Sequence, residues 1–226
     1  MSRSIRVGVV HSDADFRFGL RQLIASQEDL EYVFEESSAA AALERLPDAL
    51  VDVLLVEYFL AGMTGADFAE QLGERLLASD AKQIPVVLLN VGFNDGLRLR
   101  MVRSGVSDVL PLDPYPETVL QSIRTNAFGG PSVPRVELLE LFEKMQVAAR
   151  PNPALALGLN TLADADAAAV ALFAAGNEDS AIAAEIGEQT FRVRRRLEKI
   201  GRGFGFATRQ QFFLALYENG KLNARS

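Results

Sequence analysis

The residues able to do chemistry in this chain gather in two places. Between Arg192 and Arg202 stand Arg192, Arg194, Arg195, Arg196, Lys199 and Arg202, opposed in that span by Glu198 alone. A run of this kind neutralises phosphates, and an arginine fork can bond guanine O6 and N7 together, worth about 1–3 kcal/mol of discrimination. The other place is His11, the single histidine, with Ser12, Asp13 and Asp15 after it. A lone histidine without spaced partners is more often a hydrogen-bonding residue than a ligand or a base. The sequence holds no nucleophile–base pair and no glycine-rich phosphate loop. Without cysteine, thiolate zinc sites, disulfides and cysteine nucleophiles are excluded. No enzyme and no cofactor is expected.

The elements that must position these residues fall into two groups. Over about the first 128 residues, apolar runs alternate with helical patterns, the signature of βα repeats around a parallel sheet. Strands are expected at 6–10, 32–35, 51–56, 86–89 and 108–110. The runs Val51-Asp-Val-Leu-Leu-Val and Pro85-Val-Val-Leu-Leu are nearly continuous in apolar residues, as parallel strands covered on both faces must be. Phe16, Leu20, Leu23 and Ile24 mark the inner face of the first helix, and Val119, Leu120 and Ile123 that of the last. Five strands and five helices make a flavodoxin-like α/β fold, whose crevice lies at the carboxyl ends of the strands. His11, Ser12, Glu57, Asn90 and Leu112 fall there.

Gly129-Gly-Pro-Ser-Val-Pro breaks the pattern. The expected organisation is a first domain over 1–128, a linker over 129–158 and a second, all-α domain over 159–226. A helix at about 135–149 lies within the linker. Its stripe of Leu138, Leu141, Phe142 and Met145 suits either packing on a domain or pairing with a second copy. Pro151-Asn-Pro ends it. Further helices are expected at 164–175, 180–186, 189–200 and 209–218, with Phe212, Phe213 and Leu216 inward on the last. Two short helices joined at a glycine, the second basic, make a helix-turn-helix pattern. Val193, Leu197 and Ile200 point inward on the basic helix, and Gln189 or Thr190 can cap it. Gly201, Gly203 and Gly205 cost about 1 kcal/mol each inside a helix, so a short helix with a mobile end is expected. Charge divides in the same way. Of 23 cations and 30 acids, residues 150–226 hold ten and eight, leaving the rest strongly acidic. Two halves so different in charge argue for different partners. The N-terminus lacks the apolar stretch of a signal peptide and no segment approaches a membrane span. A cytoplasmic protein is expected.

These residues carry a family resemblance over about nine-tenths of the chain. Val9-Val-His-Ser-Asp-Ala-Asp, Val51 to Gly65 and Gly105-Val-Ser-Asp-Val-Leu-Pro-Leu-Asp resemble three segments of a receiver domain. From Leu162 to Phe212, Gly176, Ile182-Ala183, Gly187, Val193-Arg194, Ile200, Gly205 and Arg209 fall in one ungapped register on a LuxR-type helix-turn-helix. The chain thus resembles response regulators of the NarL/FixJ type. The resemblance implies a phosphoacceptor aspartate at Glu57, a Mg²⁺-binding acid pair at His11 and Ser12, a hydroxyl residue at Asn90, a lysine at Leu112 and a tyrosine switch at Val109. All five depart from the pattern. Three carboxylates have fallen to one, glutamate reaches a methylene too far for in-line attack, and Leu112 removes the cation that pairs with phosphoryl oxygen. Phosphotransfer is therefore expected to be absent. Glu57 either mimics a phosphorylated aspartate or is simply a polar residue at the mouth of a crevice.

The same resemblance places Arg194 and Arg195 toward base edges. Arg192, Arg196, Lys199, Arg202 and Arg209 are placed on phosphates, and Glu198 either accepts from a cytosine amino group or deters the wrong sequence. The expected function is a phosphorylation-independent, DNA-binding transcription regulator. It would act as a homodimer on double-stranded promoter DNA, its receiver-like domain serving dimerisation or the sensing of a protein or small-molecule partner. The alternative is a protein-interaction adaptor with vestigial C-terminal helices.

Overall fold

The structure is a computed structural model and describes residues 4–89, 95–111, 113–129, 134–148, 150 and 152–223. The chain forms two compact units, Met1–Ser132 and Val133–Ser226.

In the first unit, β1 (Ile5–Val10), β2 (Leu30–Glu36), β3 (Val53–Glu57), β6 (Val86–Leu89) and β7 (Asp108–Val109) form one parallel sheet in the order β2-β1-β3-β6-β7. This is the doubly wound order of a flavodoxin-like fold. The apolar run of β3 shows why both faces are covered. Leu54 and Val56 pack with Phe68, Leu72 and Leu76 of α3 (Gly65–Ala78), Ala42 and Leu43 of α2 (Ala39–Arg45), and Met101 of α4 (Asp95–Arg103). Val53 and Leu55 point the other way, onto Leu20 and Ile24 of α1 (Ala14–Ala25) and Val119, Leu120 and Ile123 of α5 (Pro116–Ala127). Successive strand side chains take opposite faces, so a strand sandwiched by helices must be apolar throughout. Two short strands, β4 (Phe59–Leu60) and β5 (Met63–Thr64), make a small antiparallel hairpin beyond β3. Gly65 starts α3 hard against it, where a Cβ would lie 2.8 Å from the Glu57 carbonyl oxygen and 2.6 Å from Leu88 Cδ2.

The second unit is helical: α6 (Arg135–Lys144), α7 (Pro153–Leu159), α8 (Asp164–Ala174), α9 (Asp179–Ile186), α10 (Thr190–Gly203) and α11 (Arg209–Asn223). Its core is a stack of phenylalanines. Phe173 packs on Phe212 and Phe213 at 5.9 and 5.3 Å between ring centroids, and Phe142 of α6 lies 6.1 Å from Phe213 and 5.1 Å from Tyr217. Of the expected stripe on α6, Leu138, Leu141 and Phe142 are buried in this unit, whereas Met145 keeps 36% of its surface exposed. Within the segment read from sequence as a linker, 129–158, lie α6 and most of α7. The helix expected to reach residue 149 stops at Lys144, and Gln146 follows with a positive φ of 48°.

Candidate functional site

Parallel pairing of β1 with β3 aligns Val10 with Val56, so the residues that follow each strand meet at the same edge. The Ser12 amide and hydroxyl both donate to Glu57 Oε2, at 2.9 and 2.7 Å. His11 is buried, its ring stacked on Phe16 with centroids 4.2 Å apart. Its Nδ1 accepts the Asp13 amide at 3.1 Å and lies 3.9 Å from Glu57 Oε2. An imidazole accepting at Nδ1 carries its proton on Nε2, and that atom is buried without a hydrogen-bond partner. Burial lowers the His11 pKa and outweighs the pull of Glu57, so the ring is neutral at physiological pH. Asp13 caps α1, its Oδ1 accepting the Asp15 and Phe16 amides at 2.8 and 3.2 Å. Arg17 reaches back from α1 to the carbonyls of His11 (2.7 Å) and Ser12 (2.9 Å), while its Nε donates to Glu35 at 2.7 Å. The loop after β1 is thus tied to both β3 and β2. His11, Ser12 and Glu57 come together as expected from topology; Asn90 and Leu112 lie outside the described residues. Among the described residues, no group of three His, Asp or Glu side chains is placed to hold a metal ion.

In the second unit α9 ends at Gly187, which adopts the left-handed conformation (φ 69°) and turns the chain into α10. Gln189 stands at the cap position of α10, but its side chain makes no capping hydrogen bond. Val193 and Leu197 are fully buried and Ile200 partly so. The helix does not stop at the glycines; it continues to Gly203 before Gly205 breaks it with φ 84°. Gly201 is part of the packed face, because a Cβ there would sit 3.3 Å from Phe212. The stripe of Val193, Leu197 and Gly201 leaves Phe191, Arg192, Arg195 and Lys199 exposed on the outward side. Arg202 and Glu198 are partly exposed next to them.

Two of the expected DNA-contacting arginines are committed to ion pairs within this unit, and a third comes near the same acid as one of them. Arg196 is bonded to Asp166 and Glu188 and so braces α10 against α8 and the turn. Arg209 donates to Asp179 Oδ2 at 2.9 Å from the start of α11, over the Phe173 ring at 5.4 Å. Arg194, placed by the sequence toward bases, also approaches Asp179, at 3.5 Å. The partners lie 8 to 30 residues away in sequence, on other helices or in the turn, so residue type and helical spacing gave no sign of them. Sequence reasoning also missed Arg135. It is buried, donates to Asp179 Oδ1 at 2.7 Å and to the Asn177 carbonyl at 2.7 Å, and its guanidinium lies 4.7 Å from the Phe173 centroid. Burial pushes the Asp179 carboxyl up, but hydrogen bonding and charge from Arg209 and Arg135 more than reverse this and hold it below the usual range. Asp179 thereby joins α6, α9, α10 and α11.

No family model matches the chain. The nitrate/nitrite response regulator NarP of Escherichia coli is 27% identical over 124 residues, 55% of each protein. The response regulator VraR of Staphylococcus saprophyticus is 25% identical over 135 residues, covering 60% of this chain and 62% of that one. Its homologues are response regulators. The chain spans less than two thirds of the length of these relatives. At the level of fold, the RcsB response regulator of Salmonella typhimurium superposes with a TM-score of 0.50 over 94% of this chain and 100% of its own, at 15% identity. The likeness takes in both units, the flavodoxin-like receiver and the helical region that carries α9 and α10. Among the described residues no helix is long and apolar enough to cross a membrane.

Proposed function

We propose that this chain is a DNA-binding transcription regulator whose receiver-like unit operates without phosphotransfer. The observation that carries the reading is the outward face of α10. Arg192, Arg195 and Lys199 stand exposed opposite Val193, Leu197 and Gly201, on the second helix of a helix-turn-helix, which is the one that enters the major groove. Arg195 is the best-placed base reader, Arg194 flanks it, and Arg192, Lys199 and Arg202 are placed for phosphates. Glu198 lies one turn beyond Arg194 and Arg195, within reach of the same bases. Arg196 and Arg209 act instead as braces. A single helix buries little surface, so the protein works as a homodimer on paired half-sites of double-stranded DNA.

The crevice of the first unit supports the absence of phosphotransfer. Mg²⁺ prefers hard oxygen ligands in octahedral geometry. Here Glu57 Oε2 is taken by the amide and hydroxyl of Ser12, and Asp13 Oδ1 by the helix start. The neutral His11 offers no carboxylate in place of the first acid of the receiver pattern. These residues do not fit the metal. A protein or small-molecule partner at this unit takes the role that phosphorylation has in the family.

The test is selection of genomic fragments by the purified, untreated protein, then affinity on the selected site as salt is raised. Selective binding is expected, with log K falling against log salt by about 0.9 for each phosphate contacted. Exposure to acetyl phosphate and Mg²⁺ should leave both the mass of the protein and this affinity unchanged. Flat, unselective binding would discard the regulator in favour of the adaptor.

A further inference from the structure

α10 carries one exposed residue that a phosphate-binding surface does not call for. Phe191 lies in the first turn with 54% of its surface open to solvent. Exposing an aromatic ring costs free energy that burial against an apolar partner recovers. Helical spacing puts it three and four residues before Arg194 and Arg195 and seven before Glu198, on their face. It lies off the stripe of the buried Val193, Leu197 and Gly201. The N-terminal half of a recognition helix is the part that meets base edges. The Arg192 guanidinium sits 5.9 Å from the ring centroid, so the ring is held among the very cations that would draw a phosphate backbone to it.

The major groove presents one large apolar feature, the 5-methyl group of thymine. We propose that Phe191 reads thymine, its ring covering that methyl in the base step next to the one contacted by Arg195. The inference rests on the DNA-binding reading above and sharpens it. Half-sites bound by this protein should contain an invariant thymine beside the guanine that an arginine fork would select. The exposed aromatic and the exposed arginine thus divide the readout, one apolar and one hydrogen-bonded.

The test uses the full chain and synthetic duplexes of the selected site, each with one thymine replaced by uracil, which lacks only the methyl. For the wild-type protein one position in each half-site should lose about fourfold in affinity, the value of one buried methyl. Phe191→Ala should bind the unmodified site more weakly and show no further loss at that position, while keeping its dependence on every other base. Phe191→Leu should keep part of the thymine preference, and Arg195→Ala should keep all of it while relaxing the neighbouring base. Circular dichroism of the Phe191 variants should match wild type, since the side chain is exposed. Selective binding that is indifferent to uracil at every position, or a uracil penalty that persists in Phe191→Ala, would overturn the inference and leave the regulator standing. Failure to select any fragment would overturn both.

Discussion

Single residues carry more than their exposure suggests where charge is buried. Asp179 is the shared anion of Arg135 and Arg209, both largely withdrawn from water. Removing one partner of a buried ion group leaves the others uncompensated, at a cost of about 3–5 kcal/mol. Asp179→Ala is therefore expected to lower the unfolding free energy of the second unit by that much, read from the shift of its urea midpoint, and Asp179→Asn by less, since the amide oxygen still accepts. In the first unit, a hydrogen bond from Arg17, opposed by burial and reinforced by Arg21 and Tyr32, pulls the Glu35 carboxyl down to about 2. A depressed carboxylate binds fewer protons folded than unfolded. Its contribution is whole above about pH 4.5 and is lost as pH falls toward 2. Glu35→Gln should cost on the order of 1 kcal/mol at neutral pH, solvent screening considered, and flatten the fall in stability between those limits. Sequence alone located His11, Ser12 and Glu57, because sheet topology brings together the residues after adjacent strands. It did not reveal the ion pairs of Arg196 with Asp166 and of Arg209 with Asp179, because a cation's direction depends on acids far along the chain.

At the scale of elements, glycines in α10 separate propensity from packing. Gly203 has nothing within 4 Å of where its Cβ would be, while Gly201 would meet Phe212 at 3.3 Å. Gly203→Ala should raise stability by about 0.5–1 kcal/mol, with a higher melting temperature. Gly201→Ala should gain nothing or lose, because the helix gain is spent on displacing Phe212. The strands and long helices were legible because burial on both faces, or on one stripe, writes itself into apolar spacing. The hairpin of β4 and β5 was not, since two-residue strands have no period to read. Nor was α7. Its Pro153-Ala-Leu-Ala-Leu-Gly-Leu follows a proline-rich break, and its packing turns on Gly158, where a Cβ would come within 2.3 Å of the Phe204 ring.

For the molecule as a whole, the second unit begins earlier than the expected residue 159, taking in the segment read as a linker. Leu138, Leu141, Phe142 and Leu155 are buried within the second unit, and full burial of such side chains contributes about 1.5–3 kcal/mol each. Together that is comparable to the entire stability of a small domain. A fragment of residues 134–226 should therefore unfold cooperatively, while one of residues 159–226 should show little or no transition by circular dichroism. The packing of α6 has an optical side as well. The chain has no tryptophan and four tyrosines, of which only Tyr217 belongs to the second unit. Its ring lies 5.1 Å from Phe142 of α6. Light absorbed at 280 nm by the isolated helical fragment is taken up by that one phenol, so its emission reports unlabelled whether α6 is docked or lifted away.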